Sequence, residues 1–362
     1  MSTSPHFSIQ SPRGIRHIGV GHPVFIVAEM SCNHLQDINR AYRIIDAMVD
    51  AGVDAVKVQT VSPETLTMDC DNEYFQVNVN SIWKGQSLFE LYKKVYMPWE
   101  WQPILKRYAE EKGVIFFSTP VDPSGVDFLE TIDVPLYKIA SFEIGYIDLL
   151  RRIAQTNKPV IFSRGLSSLE DIELALSTLR ENGCSDIALL HCVSSYPATP
   201  AQMNLRTIPD IASRFNVVTG LSDHTADTRV VCTAVALGAS IFEKHVTLSR
   251  ADGGPDAAFS LEPQEVKELV NAIRSTEQVL GVPTYIATSD EKENAVFRRS
   301  LFVTEDIKRG ERFTRSNIRC IRPAHGLHPK YFDFIFEKKA TKDLQRGTPL
   351  NWESVEGGTP HE

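Results

Sequence analysis

The stretch VFIVAEMSCNHLQDINRAYRIIDAMVDAGVDAVKVQT, residues 24–60, decides the fold. Residues 24–28 form an unbroken apolar run. A polar segment follows, then residues 38–51 with apolar side chains at helical spacing, then Gly52, then a second apolar run at 55–58. An apolar run without polar alternation marks a strand covered on both faces, and such strands build parallel sheets. Glycine directly after a periodic segment is a usual helix stop, because it enters the left-handed conformation without steric cost. The stretch therefore reads strand, helix, strand.

Outward from it the same unit recurs. Further apolar runs lie at 114–117, 136–139, 160–162, 187–190, 217–220 and 241–242. Helical segments at 99–112 and 169–182 again end at a glycine, Gly113 and Gly183. Eight runs alternating with helices across residues 23–280 predict an α/β fold, a (β/α)8 TIM barrel. An open doubly wound sheet is the competing architecture, but the first run is not followed by a glycine-rich dinucleotide fingerprint. The segment after the second run, 61–98, is long and holds Trp83, Phe89, Tyr92 and Tyr96. It reads either as a lid or substrate wall, or as an insertion that only covers the barrel.

The barrel is expected over residues 1–282 and a polar linker over 283–295. A small β-rich domain is expected over 296–356, with β-like runs at 300–303, 317–321 and 337–340, and a disordered tail over 357–362. The chain of 362 residues is 42% hydrophobic and 23% charged, the balance of a soluble globular protein with a large core. Its net charge of −8 argues against a general nucleic-acid binder but not against a small anionic substrate, since a local lysine cluster sets its own potential. Six cysteines with no CxxC pair predict reduced thiols and a cytoplasmic location. No apolar run is long enough for a membrane span, and the first ten residues lack the apolar core of a secretory signal.

Barrel enzymes keep their chemistry at the carboxyl ends of the strands. There the runs place Glu29, then Lys57 and Gln59, then Ser118 and Thr119, then Lys138, Ser141 and Glu143, then Ser163 and Arg164. The remaining three supply His191 with Ser194 to Tyr196, then Ser222 to His224, then Glu243, Lys244 and His245. Lys57 and Lys138, with hydroxyls from Ser141, Ser163 and Ser222, have the charge and donors a phosphate requires. The competing reading pairs each lysine with a carboxylate in an ion network. His224 and His245 end adjacent strands and suit an open divalent-metal site, with Glu29 and Asp256 as helpers, direct or through water. Otherwise one is a core histidine and the other a cap.

These residues spell motifs that resemble the sialic acid synthase family. The matching motifs are Ala28-Glu29-Met30-Ser31-Cys32-Asn33-His34, Val56-Lys57-Val58-Gln59-Thr60, Tyr137-Lys138-Ile139-Ala140-Ser141-Phe142-Glu143, His191-Cys192, Tyr196-Pro197, Gly220-Leu221-Ser222-Asp223-His224-Thr225 and Glu243-Lys244-His245. They follow in the family's order over nearly the whole chain, and the C-terminal unit resembles the family's antifreeze-like (SAF) domain. Arg322-Pro323 with Gly326-Leu327-His328-Pro329-Lys330 is similar to the pseudaminic acid branch, as are Ser141 to Ile144, Trp83-Lys84 and Leu88 to Tyr92.

The resemblance implies that Lys57, Lys138, Ser141, Ser163 and Ser222 hold phosphoenolpyruvate. It implies that His224 and His245 hold manganese, with magnesium or cobalt as alternatives. Glu29, Gln59, Glu143, Tyr196 and Asp256 would surround an amino-sugar aldehyde and the reacting centre, joined by Arg322; of these, Glu29 is the candidate for handling protons. Arg322 would reach a partner's barrel in a domain-swapped homodimer. Two positions depart from the family. Arg164 stands where threonine is usual, which suggests an added anion contact. Ser194 stands where asparagine is often found, which weakens the case for N-acetylmannosamine as substrate. Legionaminic or N-acetylneuraminic acid synthesis, a Schiff-base aldolase built on Lys138 or Lys57, and a non-catalytic sugar-binding protein are the competing functions.

Overall fold

A computed structural model describes residues 5–78 and 84–359. Trp83, singled out in the long insertion, lies outside the described residues. The chain divides into two compact units, Met1–Gly281 and Val282–Glu362.

The first unit opens with a hairpin absent from the sequence reading, β1 (His6–Ser11) and β2 (Gly14–Gly19). Eight parallel strands then close a barrel: β3 (Phe25–Glu29), β4 (Ala55–Thr60), β5 (Ile115–Pro120), β6 (Tyr137–Ile139), β7 (Val160–Ser163), β8 (Ile187–Cys192), β9 (Val218–Asp223) and β10 (Ile241–His245). Closure pairs β10 with β3, setting His245 opposite Glu29. The eighth strand runs three residues beyond the apolar run that announced it, because its Glu243, Lys244 and His245 are polar yet still pair in register.

Strand parity sorts the side chains, since successive residues point to opposite faces. One parity of the strands supplies Phe25, Val27, Ala55, Ile115, Phe117, Leu136, Ile161, Ala188, Leu190, Val218 and Ile241 to a single interior cluster. Phe7, Ile9 and Ile18 of the hairpin join that cluster and plug the barrel. The other parity, including Ile26, Val56, Phe116, Tyr137, Phe162, Leu189, Leu221 and Phe242, packs outward against the helices. Gly220 has interior parity at a point of close approach: a Cβ there would meet the Ile241 carbonyl oxygen at 2.3 Å and Leu190 Cδ2 at 2.7 Å.

The helix Ile38–Ala51 starts at Asp37, whose side chain accepts from the Asn39 N–H, and stops at Gly52 with φ of 87°. The segment expected as one helix over 99–112 is a 3-10 turn, Trp99–Trp101, leading into the helix Gln102–Glu111; Pro103 sits in its first turn, where its missing N–H costs no hydrogen bond. The long insertion is ordered where described and carries the helices Pro63–Leu66 and Leu88–Val95.

In the second unit, β11 (Ser300–Val303) pairs antiparallel with β12 (Ile318–Ile321). Leu301, Val303, Ile307, Phe313, Ile318 and Ile335 are part of its core. The run at 337–340 forms isolated bridges, Arg312 with Lys339 and Ala340 with Val355, rather than a strand. Within the polar segment expected as linker, Ser289–Glu293 is helical, capped by Thr288, which accepts from the Glu291 N–H. The tail expected to be disordered begins with an ordered turn, in which the Gly358 N–H donates to the Val355 carbonyl at 3.1 Å; residues 360–362 lie outside the described residues.

Candidate active site

Glu29, Lys57, Gln59, Lys138, Ser163, Ser222, Glu243 and His245 all have the parity of the barrel interior and lie at the carboxyl ends of their strands. Glu243 is the hub. Its Oε1 lies 3.7 Å from Lys57 Nζ and 3.6 Å from Lys138 Nζ, and accepts from Ser222 Oγ at 3.2 Å. Lys57 Nζ also lies 2.5 Å from Glu29 Oε2 and donates to Thr119 Oγ1 at 3.1 Å. Lys138 Nζ donates to Ser163 Oγ at 2.8 Å. All four charged side chains are buried. The competing sequence reading, lysines within a carboxylate network, thus describes the geometry of both ammonium groups.

The four groups do not share the charge evenly. Burial raises Glu29 above the usual carboxylate range, Lys57 opposes that, and Glu243 adds to it, with a net upward shift. Burial pushes Glu243 up as well, but the flanking Lys138 and Lys57 outweigh it and hold the carboxyl down. Burial pulls Lys138 below its ordinary value. Lys57 is pulled down by burial but raised overall by Glu243 and Glu29. Two ammonium groups therefore face one firmly ionised carboxylate, with Glu29 as the group readiest to carry a proton.

Beside this cluster the His224 and His245 rings stand 5.4 Å apart. Tyr196 lies 4.5 Å from the His224 ring, and Phe259 packs 5.1 Å from that of His245. His224 Nδ1 donates to the Val193 carbonyl at 3.1 Å, so Nε2 carries the lone pair. Burial pushes His224 down to about 4 and His245 well below its ordinary value, so both rings are neutral. Buried His245 Nδ1 has no hydrogen-bond partner and lies 3.6 Å from Asp256 Oδ2. Among the described residues no group of three or more His, Cys, Asp or Glu side chains is arranged to hold an ion by itself. Two neutral imidazoles, with the His224 Nε2 lone pair left for a ligand, fit a divalent ion whose other ligands are oxygens of water or substrate.

The other expected site residues divide. Gln59 donates to Glu29 Oε1 at 2.9 Å, and Ser141 Oγ lies 2.9 Å from Ser194 Oγ. Tyr92, on the insertion helix, is raised by burial and by the nearby Glu143 charge, so the insertion borders the site. Arg322 follows β12 in the second unit and is exposed there. Arg164 follows Ser163; one of its guanidinium nitrogens donates to the Gly165 carbonyl at 3.4 Å, and its buried Nε has no hydrogen-bond partner. His191, on the outward face of β8, bonds the Met203 carbonyl and is structural. Lys244 likewise pairs outward with Asp223 at 2.9 Å. The sequence reading placed Glu243 and Thr119 at strand ends but gave neither a role, and it missed Phe259. Parity along β10 and β5 was the available signal for the first two.

Burial raises Glu143 to about 7, with Lys138 opposing. Its unfolded value is about 4.5, so its contribution to stability is fully present below pH ~4.5 and is lost as pH rises through ~7. Relative to a Glu143→Gln variant, the wild-type protein is expected to lose up to about 3 kcal/mol across that window. Urea midpoints of both proteins at pH 5 and pH 8 check this; parallel curves contradict it.

Fold and site together define a barrel enzyme whose mouth sets two buried ammonium groups beside a pair of imidazoles. The NeuB family model matches residues 44–285 and the SAF domain model matches residues 298–356. The chain is 39% identical to the pseudaminic acid synthase of Helicobacter pylori over 92% of this chain and 98% of that protein. It is 38% identical to the pseudaminic acid synthase of Campylobacter jejuni, over 90% and 95%. The crystal structure of N-acetylneuraminic acid synthetase from Leptospira borgpetersenii in complex with citrate superposes with a TM-score of 0.69 at 34% identity, covering 77% of this chain and 92% of that one. The chain belongs to the NeuB family and ends in a SAF domain.

Proposed function

We propose that this NeuB-family enzyme, a phosphoenolpyruvate-dependent synthase, condenses phosphoenolpyruvate with 2,4-diacetamido-2,4,6-trideoxy-L-altrose and water. The products are pseudaminic acid and inorganic phosphate. The observation that carries the reading is the convergence of Lys57 and Lys138 on Glu243, within 3.7 Å, beside the His224–His245 pair. Lys57 and Lys138 supply two buried ammonium groups for a phosphate, and Ser163, Ser222 and Thr119 add donors.

His224 and His245 would hold the divalent ion, with manganese the first candidate and magnesium or cobalt the alternatives. Bound there, the ion would supply Lewis acidity toward the aldehyde oxygen. The chain's own residues do the rest. Lys57 and Lys138 grip the phosphate and set the enol carbon against the aldehyde carbon, so that a carbon–carbon bond forms between them. Water adds at the second carbon of the former phosphoenolpyruvate, and Glu29 passes protons between that water and the new hydroxyl. The resulting tetrahedral carbon expels phosphate by C–O cleavage, with the lysines stabilising the departing charge. Glu143, Tyr196 and Asp256 would line the sugar pocket.

Arg322 would complete that pocket from a second copy in a domain-swapped homodimer. The reaction would run in the cytoplasm, a reading that six unbridged cysteines support. Among the described residues no helix is long and apolar enough to cross a membrane.

The test offers purified protein phosphoenolpyruvate, Mn2+ and each of three open-chain aldehydes: the altrose derivative, the legionaminic acid precursor and N-acetylmannosamine. Phosphate release should be fastest with the first. Equal rates, or a preference for N-acetylmannosamine, overturn the choice of sugar. A borohydride-trapped lysine adduct in place of phosphate release would establish the aldolase instead.

A further inference from the structure

Ser31 follows β3 at the mouth of the barrel and is 5% exposed. Its φ is 48°, in the left-handed region that a serine enters at a steric cost. Strain of that kind persists only where surrounding contacts hold it, and here they are specific. Ser31 Oγ donates to Asp256 Oδ2 at 2.5 Å and accepts from Gln59 Nε2 at 3.1 Å. The same Gln59 nitrogen donates to Glu29 Oε1 at 2.9 Å, and Glu29 faces Lys57. At the other end Asp256 Oδ2, the oxygen that Ser31 holds, lies 3.6 Å from His245 Nδ1. One hydroxyl thus stands between the lysine–carboxylate cluster and the imidazole pair.

Ser31 is not required merely to tie its loop to the loop after β10. Asn33 Nδ2 already donates to the Val246 carbonyl at 2.8 Å and to Ser260 Oγ at 2.9 Å, and Arg40 pairs with Asp252 at 2.6 Å. The Asp256 carboxylate takes its partners from the loop after β3: Ser31 Oγ donates to it at 2.5 Å, and the neighbouring Cys32 side chain also hydrogen-bonds to it, while the Asp256 main-chain carbonyl is held by Ser260.

We propose that Ser31 is a positioning residue that holds the Asp256 carboxylate 3.6 Å behind His245 Nδ1, longer than a hydrogen bond in this structure, so that the carboxylate accepts from Nδ1–H when the ring binds a divalent ion. The proposal rests on the imidazole pair holding an ion, as the proposed function has it. A carboxylate set behind a metal-binding imidazole fixes the ring and raises its basicity, and removing such support commonly costs about 10–100-fold in metal affinity.

The discriminating variant is Ser31→Gly. Glycine accepts a φ of 48° without strain, so this change removes the hydroxyl while relaxing the backbone. Ser31→Ala removes the hydroxyl alone and keeps the strained Cβ, so it should weaken Mn2+ as Ser31→Gly does but without the gain in melting temperature. Full-length wild type, Ser31→Gly, Asp256→Ala and the double variant would be titrated with Mn2+ alone, reading free Mn2+ by electron paramagnetic resonance, and with phosphoenolpyruvate by calorimetry. Ser31→Gly should keep or raise the melting temperature, weaken Mn2+ by about tenfold or more, and leave phosphoenolpyruvate affinity within about twofold. The double variant should bind Mn2+ no more weakly than Asp256→Ala, since both changes break one chain of contacts. Unchanged Mn2+ affinity in Ser31→Gly, additive losses in the double variant, or a fall in melting temperature with both ligands weakened alike would each overturn the proposal, as would a wild type that binds no Mn2+. Absence of phosphate release from wild type with every aldehyde would remove the synthase reading, while the Mn2+ titrations would still decide the role of Ser31.

Discussion

Replacing Lys57 with methionine is expected to abolish measurable phosphate release and to destabilise the barrel by about 3–5 kcal/mol. The size follows from what the ammonium separates. Glu29 and Glu243, both buried, face it at 2.5 Å and 3.7 Å. Methionine keeps the length and apolar stem of lysine, so packing changes little, but two carboxylates then share one cavity with Lys138 as the remaining cation. One must take a proton, and the loss should therefore shrink as pH falls. Glu29→Gln in the Lys57→Met background removes the stranded charge and should recover part of the stability, yet no activity, because the phosphate still lacks half its cationic grip. Denaturation midpoints at pH 5.5 and 8 with single-turnover phosphate release check both halves. A Lys57→Met protein as stable as wild type at pH 8 would show that the network is far better solvated than its burial implies.

The second large effect concerns His224. The alanine variant should fold and should lose at least about 100-fold in turnover, or roughly 2.7 kcal/mol of barrier. Its imidazole is fixed from behind by the Val193 carbonyl at 3.1 Å and flanked by Tyr196 at 4.5 Å, so Nε2 is presented in one orientation. Without it, His245 alone would have to hold the proposed ion. Chelator treatment of wild type should reproduce the loss, and added Mn2+ should restore wild type but not the variant. Wild-type turnover in a folded His224→Ala protein would refute the assignment.

Much of this site was legible because a buried parallel strand writes its two faces in alternate residues. Once residues 241–245 are read as a strand, Ile241 in the interior cluster places Glu243 and His245 on the same face and Lys244 on the other. The same parity separates Ser222 from Asp223 on β9 and Lys138 from Tyr137 on β6. Reading the carboxyl ends without that filter grouped Lys244 and His191 with the site, where the barrel turns both outward. The hairpin of residues 6–19 escaped notice for a related reason: β1 buries only alternate residues and β2 only Ile18 and Gly19, so its apolar residues are too few to form a run.

Residue order by itself determined the alternation of strands and helices, the closed parallel architecture it favours, and the residue types at each strand's end. Tertiary structure alone decided which charges meet. Closure sets Glu29 beside His245, 216 positions away, and converges Lys57 and Lys138 on one carboxylate. Strand order, curvature and shear fix those through-space distances, whereas spacing along the chain records only the direction in which each side chain leaves its strand.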